Sequence, residues 1–244
     1  DEASWTIVAL ANGDARVAYN ILEMASQSVG VDNEITKGIV QEVAQQKVLL
    51  YDKSGEEHYN IISALHKSIR NSDVNAGLYW LARMLDAGED PLYVARRLTR
   101  FASEDIGMAD PGALRLALNA KDSVKFIGMP EGALALAQCV IYLSAAPKSN
   151  AVYSAYSAAL EQARNSRAQP VPLHLRNVST RLMKKLHYGE GYQYAHDTLD
   201  QVADMDCLPE SLIGQQFYHP KDIGLEARVK QRLEDIEGKR KRRR

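Results

Sequence analysis

The chain has 244 residues, of which 45% are hydrophobic and 25% are charged, and 30 Lys and Arg nearly balance 31 Asp and Glu. The net charge of −1 excludes a strong overall attraction for polyanions, although the last six residues, 239–244, are all basic and leave −7 on the rest. Two cysteines without a Cys-x-x-Cys motif exclude a disulfide framework and a cysteine-based zinc site.

Apolar residues recur at helical spacing in the first ninety residues, whereas strand patterns are nearly absent. The stripes are Val17, Ala18, Ile21, Leu22 and Ala25; Ile39, Val40 and Val43; Ile61, Ile62, Leu65 and Ile69; and Leu78, Tyr79, Leu81, Ala82 and Leu85. Thr36 opens the second stripe, and Gly88 is typical of the position after a helix. No signal peptide opens the sequence. It starts at Asp1 and not at methionine, four residues before a helical pattern, so we expect a piece of a longer protein.

Three later helices are predicted to begin at a proline, whose missing N–H costs nothing at the first helical position. These prolines are Pro91, Pro111 and Pro130, and Asp90 and Asp110 precede the first two as N-caps. A fourth helix is predicted to follow Ser149. The longest apolar stretch of the chain lies in the third helix, contains polar residues and is too short to span a bilayer. We therefore predict an all-α chain of short helices.

The last third of the chain has a different character. Residues 169–173 form a proline-restricted link, and residues 188–194 form a loop rich in glycine and tyrosine. These tyrosines either stack on nucleic acid bases or, more commonly for such a loop, seal a contact between subunits or layers. A final amphipathic helix is predicted over 224–237. We interpret this part as an irregular extension packed on the helical body.

Motifs for nucleotide hydrolysis are missing from the sequence. The one Gly-Lys pair, Gly238-Lys239, is not preceded by the glycine that a phosphate-binding P-loop requires. An aliphatic strand ending in Asp-Glu, which would hold magnesium, is also missing, as is the Gly-x-Ser-x-Gly elbow of hydrolases. Hydrolysis by this sequence alone is therefore not expected.

Histidines and carboxylates give one weak enzyme hypothesis. His58 or His66 together with Glu104 would form a small active site only if these groups converge in a pocket. His58 and His66 are eight residues apart, about 12 Å along a helix, and cannot share a metal within it. Ordinary polar contacts at helix ends are the more common role for such residues, and no metal site is predicted.

Basic residues give a second hypothesis, that of a free-standing helical module that binds nucleic acid or another protein. Arg96, Arg97 and Arg100 form a basic face on one predicted helix and are candidate DNA contacts, together with the basic tail. Such a face is usually solvated or ion-paired. This hypothesis predicts DNA binding that weakens steeply with salt.

A sharper motif lies at the start of the chain. Gly13 and Asp14 precede a helix, with Asp14 as its N-cap, and Arg16 follows in the first turn. A guanidinium aimed by the start of a helix is suited to reach a phosphate held in another domain. A solvent-exposed arginine is the alternative when the motif is taken alone.

Longer motifs resemble one protein family. They are residues 12–16, 51–70, 78–85, 90–98, 102–107, 146–150, 172–177 and 189–192. In this order they resemble the replication-associated recombination protein A family, also called MgsA, whose eukaryotic member is the Werner helicase-interacting protein. This family belongs to the clamp-loader clade of the AAA+ ATPases.

The resemblance implies an AAA+ helical lid remnant, a helical oligomerisation domain and an irregular C-terminal extension. The lid and its connecting helices correspond to residues 1–63, the tetramerisation domain to 64–228, and the end of the last helix with the basic tail to 229–244. The implied function is the lid and oligomerisation region of a DNA-dependent ATPase that acts in replication fork maintenance, recombination and DNA repair.

The resemblance also implies roles for particular groups. Arg16, supported by Gly13 and Asp14, matches the sensor-2 arginine that detects the γ-phosphate. ATP and magnesium are expected to bind the full-length protein, mainly through an N-terminal part that this sequence lacks. The full-length protein is expected to be an ATPase, and this fragment, without catalytic residues, is not.

The partners implied by the resemblance are other copies of the chain, in a homotetramer, DNA bound by the full-length protein, single-stranded-DNA-binding protein and replication polymerases. No membrane is involved. The expected location is the bacterial cytoplasm, at the nucleoid, or the eukaryotic nucleus. Tyr79, Trp80 and Tyr93 are candidates for the oligomer interface, and a place in the core is an equally good interpretation for each.

Overall fold

The structure, a computed structural model, describes residues 1–11, 15–29, 33–48, 56–166 and 169–241. Its regular structure in these ranges consists of α-helices, one π-helix and short 3₁₀ turns, without a strand. The predicted all-α fold is confirmed. None of the helices in these ranges has both the length and the apolar character needed to cross a membrane.

The first three helices share a small apolar core. They are α1 (Glu2–Ala11), α2 (Ala15–Val29) and α3 (Lys37–Val48). Each contacts the other two. Ile21 and Ala25 lie one turn apart on the buried face of α2, as the sequence predicts, and pack with Val40 of α3.

A larger core begins with α4 (Glu56–Arg70). Ile61, Leu65 and Ile69 form its buried stripe at the predicted helical spacing. The predicted domain boundary between residues 63 and 64 falls inside α4, so that one helix would be divided between the two predicted domains.

Helix α5 (Val74–Asp86) begins at an N-cap and packs closely on a later helix. Asp73 accepts a hydrogen bond from the backbone N–H of Ala76 at 2.9 Å, which satisfies one of the free amides of the first turn. Gly77 faces α8 (Ala133–Ala145), and a Cβ atom at this position would lie 3.0 Å from Val140. The glycine thus allows a close approach of the two helices, which an added Cβ atom would crowd.

Helix α6 (Pro91–Phe101) begins at the predicted proline, and Asp90 accepts from the N–H of Leu92 at 2.9 Å. A π-helix, Ala102–Ile106, follows directly, and α7 (Gly112–Ile127) comes after a 3₁₀ turn. Helix α7 begins one residue after Pro111, at an amide that Asp110 caps. The two predicted Asp-Pro helix starts are thus correct to within a residue.

The predicted start of the third proline helix is wrong. Residues 129–132 form a turn that contains a cis Met129–Pro130 peptide bond, and α8 begins at Ala133. The N–H of Gly132 donates to the carbonyl of Gly128 at 2.7 Å. Because this turn uses the amides that a helix start would leave free, Pro130 precedes the helix and is not part of it.

Lys148 links the end of α8 to the turn between α4 and α5. Its ammonium group donates to the carbonyls of Ser144 and Ala146, at 2.9 and 2.6 Å, and to the Ser72 hydroxyl at 3.2 Å. Burial lowers the pKa of Lys148 from its usual value. Helix α9 (Ala151–Asn165) begins shortly after.

The C-terminal part is largely irregular, as predicted, and contains the short α10 (Arg181–Lys185) and the longer α11 (Glu226–Lys241). The N–H of Leu225 donates to the carbonyl of Ala109 at 2.8 Å, which holds the start of α11 on the helical body. Glu226 is fully buried and accepts a hydrogen bond from the Tyr218 hydroxyl at 2.7 Å.

Candidate functional site

The predicted nucleotide-sensing motif lies at the start of α2. Gly13 and Asp14 lie outside the residues that the structure describes. Arg16 is the second residue of α2, in its first turn, and its side chain is also outside the description. The motif therefore remains a prediction from the sequence.

Two of the three predicted DNA contacts on α6 lie beside carboxylates. Arg100 Nε is 2.7 Å from Glu104 Oε2, one helical turn further on. Arg96 Nη2 is 3.5 Å from Asp90 Oδ2, and its guanidinium lies over the ring of Tyr93 at 5.8 Å. These carboxylates partly neutralise the positive charge of the two arginines, which a phosphate would need for binding.

The third arginine of this face turns toward the protein interior. Arg97 Nε is buried and has no hydrogen-bond partner among the described residues. Its charge lies close enough to His66 of α4 to lower the pKa of that imidazole. The three arginines of α6 therefore do not form one exposed basic surface.

The π-helix after α6 carries the acidic partners of two arginines. Asp105 accepts two hydrogen bonds from Arg70 of α4, at 2.6 Å from Nε and 3.0 Å from Nη2. The backbone carbonyl of Asp105 also accepts from the N–H of Ser149 at 2.8 Å. Because π-helices often occur at functional positions, this segment is a candidate site.

His66 lies against the same segment. Its ring packs edge-on against Phe101 at 5.6 Å, and burial, followed by the nearby Arg97 and Arg70, lowers its pKa from 6.5 to about 4. Its Nε2 atom is buried and has no hydrogen-bond partner in the described part of the chain. His66 is therefore neutral at pH 7.

The structure brings His66 near Glu104, as the enzyme hypothesis requires, but it does not join them. The Glu104 carboxylate binds Arg100, and among the residues that the structure describes no acid or base lies within hydrogen-bonding distance of His66 Nε2. The side chain of His58 lies outside the description. Because proton transfer needs such a contact, this cluster is better explained as packing between α4, α6 and the π-helix.

The predicted interface residues occupy different environments. Tyr79 is 58% exposed on α5, with its ring edge-on to Trp80 at 5.0 Å. Trp80 is half-buried, and the guanidinium of Arg83 lies over its ring at 5.4 Å. Tyr93 is half-buried and packs against the large core. Tyr79 thus offers the most free surface of the three.

The C-terminal extension combines the tyrosine loop that the sequence identifies with features that it does not predict. A groove of about 460 Å³ runs between residues 169–176 and 206–213. Beside it, α10 and the following loop present the cations Lys184 and Lys185 and the exposed rings of Tyr192 and Tyr194. The concentration of Lys and Arg before the tyrosine loop was the signal that could have identified this surface.

An all-α body preceded by a small three-helix unit is the architecture expected of the C-terminal region of an AAA+ ATPase. Residues 1–70 match the family model described as AAA C-terminal domain. Residues 71–237 match the model described as MgsA AAA+ ATPase C terminal. Because the second match covers more than half of the chain, the chain belongs to the MgsA AAA+ ATPase C-terminal family, and the family resemblance predicted from the motifs is confirmed.

Named proteins from several organisms are similar to nearly the whole chain. The replication-associated recombination protein A of Coxiella burnetii is 50% identical over 232 residues, which cover 93% of this chain and 53% of that protein. The replication-associated recombination protein A of Escherichia coli K12 is 44% identical over 238 residues, which cover 96% of this chain and 53% of that protein. The ATPase WRNIP1 of Dictyostelium discoideum is 42% identical over 242 residues, and the match covers 91% of this chain and 28% of that protein. The chain spans about half the length of the first two.

Proposed function

We propose that this chain is the lid and oligomerisation region of a DNA-dependent AAA+ ATPase that acts in replication fork maintenance, recombination and DNA repair. The observation that carries this proposal is the pair of consecutive family matches over residues 1–70 and 71–237. The name shared by two relatives, replication-associated recombination protein A, supports the cellular process.

In this proposal, Arg16 is the sensor-2 residue. Its place in the first turn of α2 supports the role, since the amide end of a helix attracts anions and a guanidinium binds phosphate through several N–H groups. Gly13 and Asp14 would set the start of the helix and so aim the side chain. Arg16 would then stabilise the charge on the γ-phosphate of ATP bound elsewhere in the longer protein.

ATP and magnesium would be held mainly by residues beyond this sequence. The sequence has no P-loop, and its described residues include no group of three His, Cys, Asp or Glu that could hold a metal ion. Curated relatives are about twice as long as the chain, which leaves room for such a domain. This region would therefore modulate hydrolysis without performing it.

Assembly into a homotetramer is the second role that we propose. Large apolar side chains that remain exposed on a subunit are typical of surfaces that other subunits cover. Phe126 is 93% exposed and Leu134 is 77% exposed, on either side of the turn between α7 and α8, and Tyr79 is exposed on α5. Single-stranded-DNA-binding protein and replication polymerases are the further partners that we propose from the family resemblance.

The sensor role is tested with Arg16→Ala in the longer protein that contains the ATPase domain. ATP turnover is expected to fall by about tenfold or more, because a charge-assisted contact to the transition state is lost, while the tetramer persists. Arg228→Ala, at an exposed position on α11, is the matched control and should leave turnover unchanged. Undiminished turnover by Arg16→Ala would remove this residue from the mechanism.

The assembly role is tested by analytical ultracentrifugation of the chain itself at micromolar concentration. We expect a tetramer of the 27.1 kDa chain. Substitution of Phe126 and Leu134 by serine tells whether the exposed turn takes part. A strict monomer of the unsubstituted chain would contradict the proposed assembly role.

A further inference from the structure

The segment that contains α10 concentrates positive charge on an exposed surface. Between residues 173 and 196 the sequence has four Lys and Arg and one Glu, whereas the whole chain carries a net charge of −1. Arg181, Lys184 and Lys185 are exposed, and no carboxylate within the described residues pairs with them. Glu190, the one acidic residue, binds His187. These cations are therefore free to bind an anion.

Exposed aromatic rings lie on the loop that follows these cations. Tyr192 is 52% exposed and Tyr194 is 54% exposed, although both are large enough to bury substantial apolar surface. They are two positions apart in a loop without regular secondary structure. The ring of His196 lies 5.0 Å from that of Tyr194.

Internal contacts hold the loop in this arrangement. Arg176 donates to the carbonyl of Val171 at 2.7 Å and to the hydroxyl of Tyr188 at 3.1 Å, and its guanidinium lies over the Tyr188 ring at 4.9 Å. The N–H of Gly189 donates to the carbonyl of Leu173 at 2.8 Å, and that of Tyr188 donates to Met183 in α10 at 3.1 Å. These contacts fix the first residues of the loop, which lowers part of the entropic cost of binding.

We propose that Lys184, Lys185, Tyr192, Tyr194 and His196 form a binding surface for single-stranded DNA, which we call the tyrosine platform. The lysines would bind backbone phosphates while unpaired bases stack on the rings, the combination used by proteins that bind single strands without sequence preference. The inference deepens the proposed function and rests on it, since it identifies the DNA contact of a protein proposed to act on DNA.

The composition of the platform favours nucleic acid over a protein partner. Leu182 of α10 and Leu186, the residue after this helix, are exposed and would suit a protein interface, but Lys184 and Lys185 lie between them in the sequence. Lysine is depleted in protein interfaces, and covering two adjacent lysines without a carboxylate would be costly. A paired duplex keeps its bases stacked inside, so the exposed rings favour a single strand.

The test measures binding of a fluorescently labelled thymidine oligonucleotide to the chain by anisotropy at several salt concentrations. The double variant Tyr192→Ala/Tyr194→Ala is expected to bind about tenfold or more weakly, because two stacking contacts are lost. The matched control Tyr192→Phe/Tyr194→Phe retains the rings and should bind within about twofold of the unsubstituted chain. The basic tail is present in every variant, so the differences report on the platform.

A second variant tests the charges. Lys184→Gln/Lys185→Gln is expected to bind more weakly and to reduce the slope of log affinity against log salt by about 1.4, because two phosphate contacts are removed. Arg115→Gln/Lys125→Gln, on α7, is the charge-matched control and should leave the slope unchanged. All four positions are exposed, so circular dichroism and melting temperature should be preserved.

Three results would overturn the proposal. They are unchanged affinity of the alanine variant, an equal loss in the phenylalanine variant, and a change in the sedimenting species without a change in DNA binding, which would identify a protein interface. The longer protein separates this proposal from the proposed function. If DNA stimulates ATP turnover of both the unsubstituted protein and its alanine variant, only the platform fails. If DNA stimulates neither, the proposed function fails.

Discussion

Gly224 occupies a position where both its backbone conformation and its surroundings require a glycine. Its φ of +54° lies in the left-handed region, and a Cβ atom there would come within 2.3 Å of the Ala109 carbonyl and 2.8 Å of Pro147. The neighbouring hydrogen bond from Leu225 to Ala109 holds the chain against the body. A side chain at this position would therefore push the start of α11 away.

We expect Gly224→Ala to lower the free energy of unfolding by about 3 kcal/mol, from backbone strain and from the clash. Gly214→Ala is the matched control, because Gly214 also has a positive φ, +87°, but has nothing within 4 Å of the added atom. It should lose only about 1 kcal/mol. Urea unfolding compares the two, and equal losses would show that the contact with Ala109 is unimportant.

His66 gives the stability of the protein a dependence on pH. Its pKa in the folded chain is about 4, lowered mainly by burial, whereas an unfolded chain has a value near 6.5. Between these values the unfolded state binds a proton that the folded state does not bind. Stability therefore falls as the pH drops from about 6.5 to about 4, by about 3 kcal/mol in total.

His66→Gln is expected to remove this part of the pH dependence, because glutamine does not titrate. His219→Gln, at an exposed position, should keep the profile of the unsubstituted chain. The measurement is the free energy of unfolding at a series of pH values from 4 to 7. If His66→Gln has the same slope as the unsubstituted chain, the imidazole is not the group responsible.

The environment of His66 illustrates what the sequence leaves unresolved at the residue scale. Its place on the helix with Ile69 is predicted by periodicity. Its neighbours Arg97 and Asp105 are more than thirty positions away and are brought near by the packing of α4 on α6 and the π-helix. Local patterns have no information on such contacts. The lowered pKa of His66, and the lack of a hydrogen bond between His66 and Glu104, could therefore not be predicted from the sequence.

At the scale of elements, the pair Arg70–Asp105 connects α4 to the π-helix. Two nearly parallel hydrogen bonds join them, and they raise the pKa of Arg70. The Asp105 side chain is 12% exposed and that of Arg70 is 49% exposed, so solvent screens the pair only in part. A paired guanidinium and carboxylate in this geometry should stabilise the contact between the two elements.

A double-mutant cycle with Arg70→Gln and Asp105→Asn is expected to give a coupling energy of about 1–2 kcal/mol. The comparison pair is Arg100 and Glu104, which lie one turn apart, are more exposed and should couple by about 0.3–0.5 kcal/mol. Chemical denaturation of the unsubstituted chain and the six variants supplies the stabilities for both cycles. A coupling for the first pair no larger than for the second would show that the link between elements adds nothing.

Helices were predictable where local chemistry determines them. Asp90 and Pro91 fix the start of α6 through a cap and a preset φ, and the apolar stripe of α4 identifies its buried face. Pro130 misled the prediction, because proline is equally suited to a turn and to a first helical position. Only the contacts of Gly132 with Gly128 distinguish the two, and these depend on the surrounding chain.

At the scale of the whole molecule, the apolar residues form two clusters with no member in common. One involves α1 to α3 and includes Ile21, and the other involves α4 to α8 and includes Leu136. Both side chains are almost completely buried. Separate cores are expected to unfold as separate cooperative units.

Thermal unfolding should therefore show two transitions, each sensitive to one substitution. Ile21→Ala should shift only the transition of the small core, and Leu136→Ala only that of the large core, each by about 2–5 kcal/mol in stability. Differential scanning calorimetry measures both. A single transition that both substitutions shift would show that the cores unfold as one unit.

The proposed function of the whole molecule comes from the family resemblance. The residues themselves predict helices and exclude a phosphate-binding loop, but the proposed assembly and sensor roles have no local signature. Arg16 illustrates this, since Gly13 and Asp14 alone are also compatible with an exposed first-turn arginine. The tyrosine loop is recognisable in the sequence, whereas its proposed combination with Lys184 and Lys185 depends on the exposure of these side chains in the structure.

The contacts of Lys148 have a practical consequence for studies that map proteins by chemical labelling. The Lys148 amine is half-buried and is held by two carbonyls and a hydroxyl, so an acylating reagent has less access to it than to Lys184 and Lys185, which face solvent. In mass spectra of acetylated protein, the peptide with Lys148 would report that the fold is intact. The peptides with the other two lysines would report whether their surface is covered.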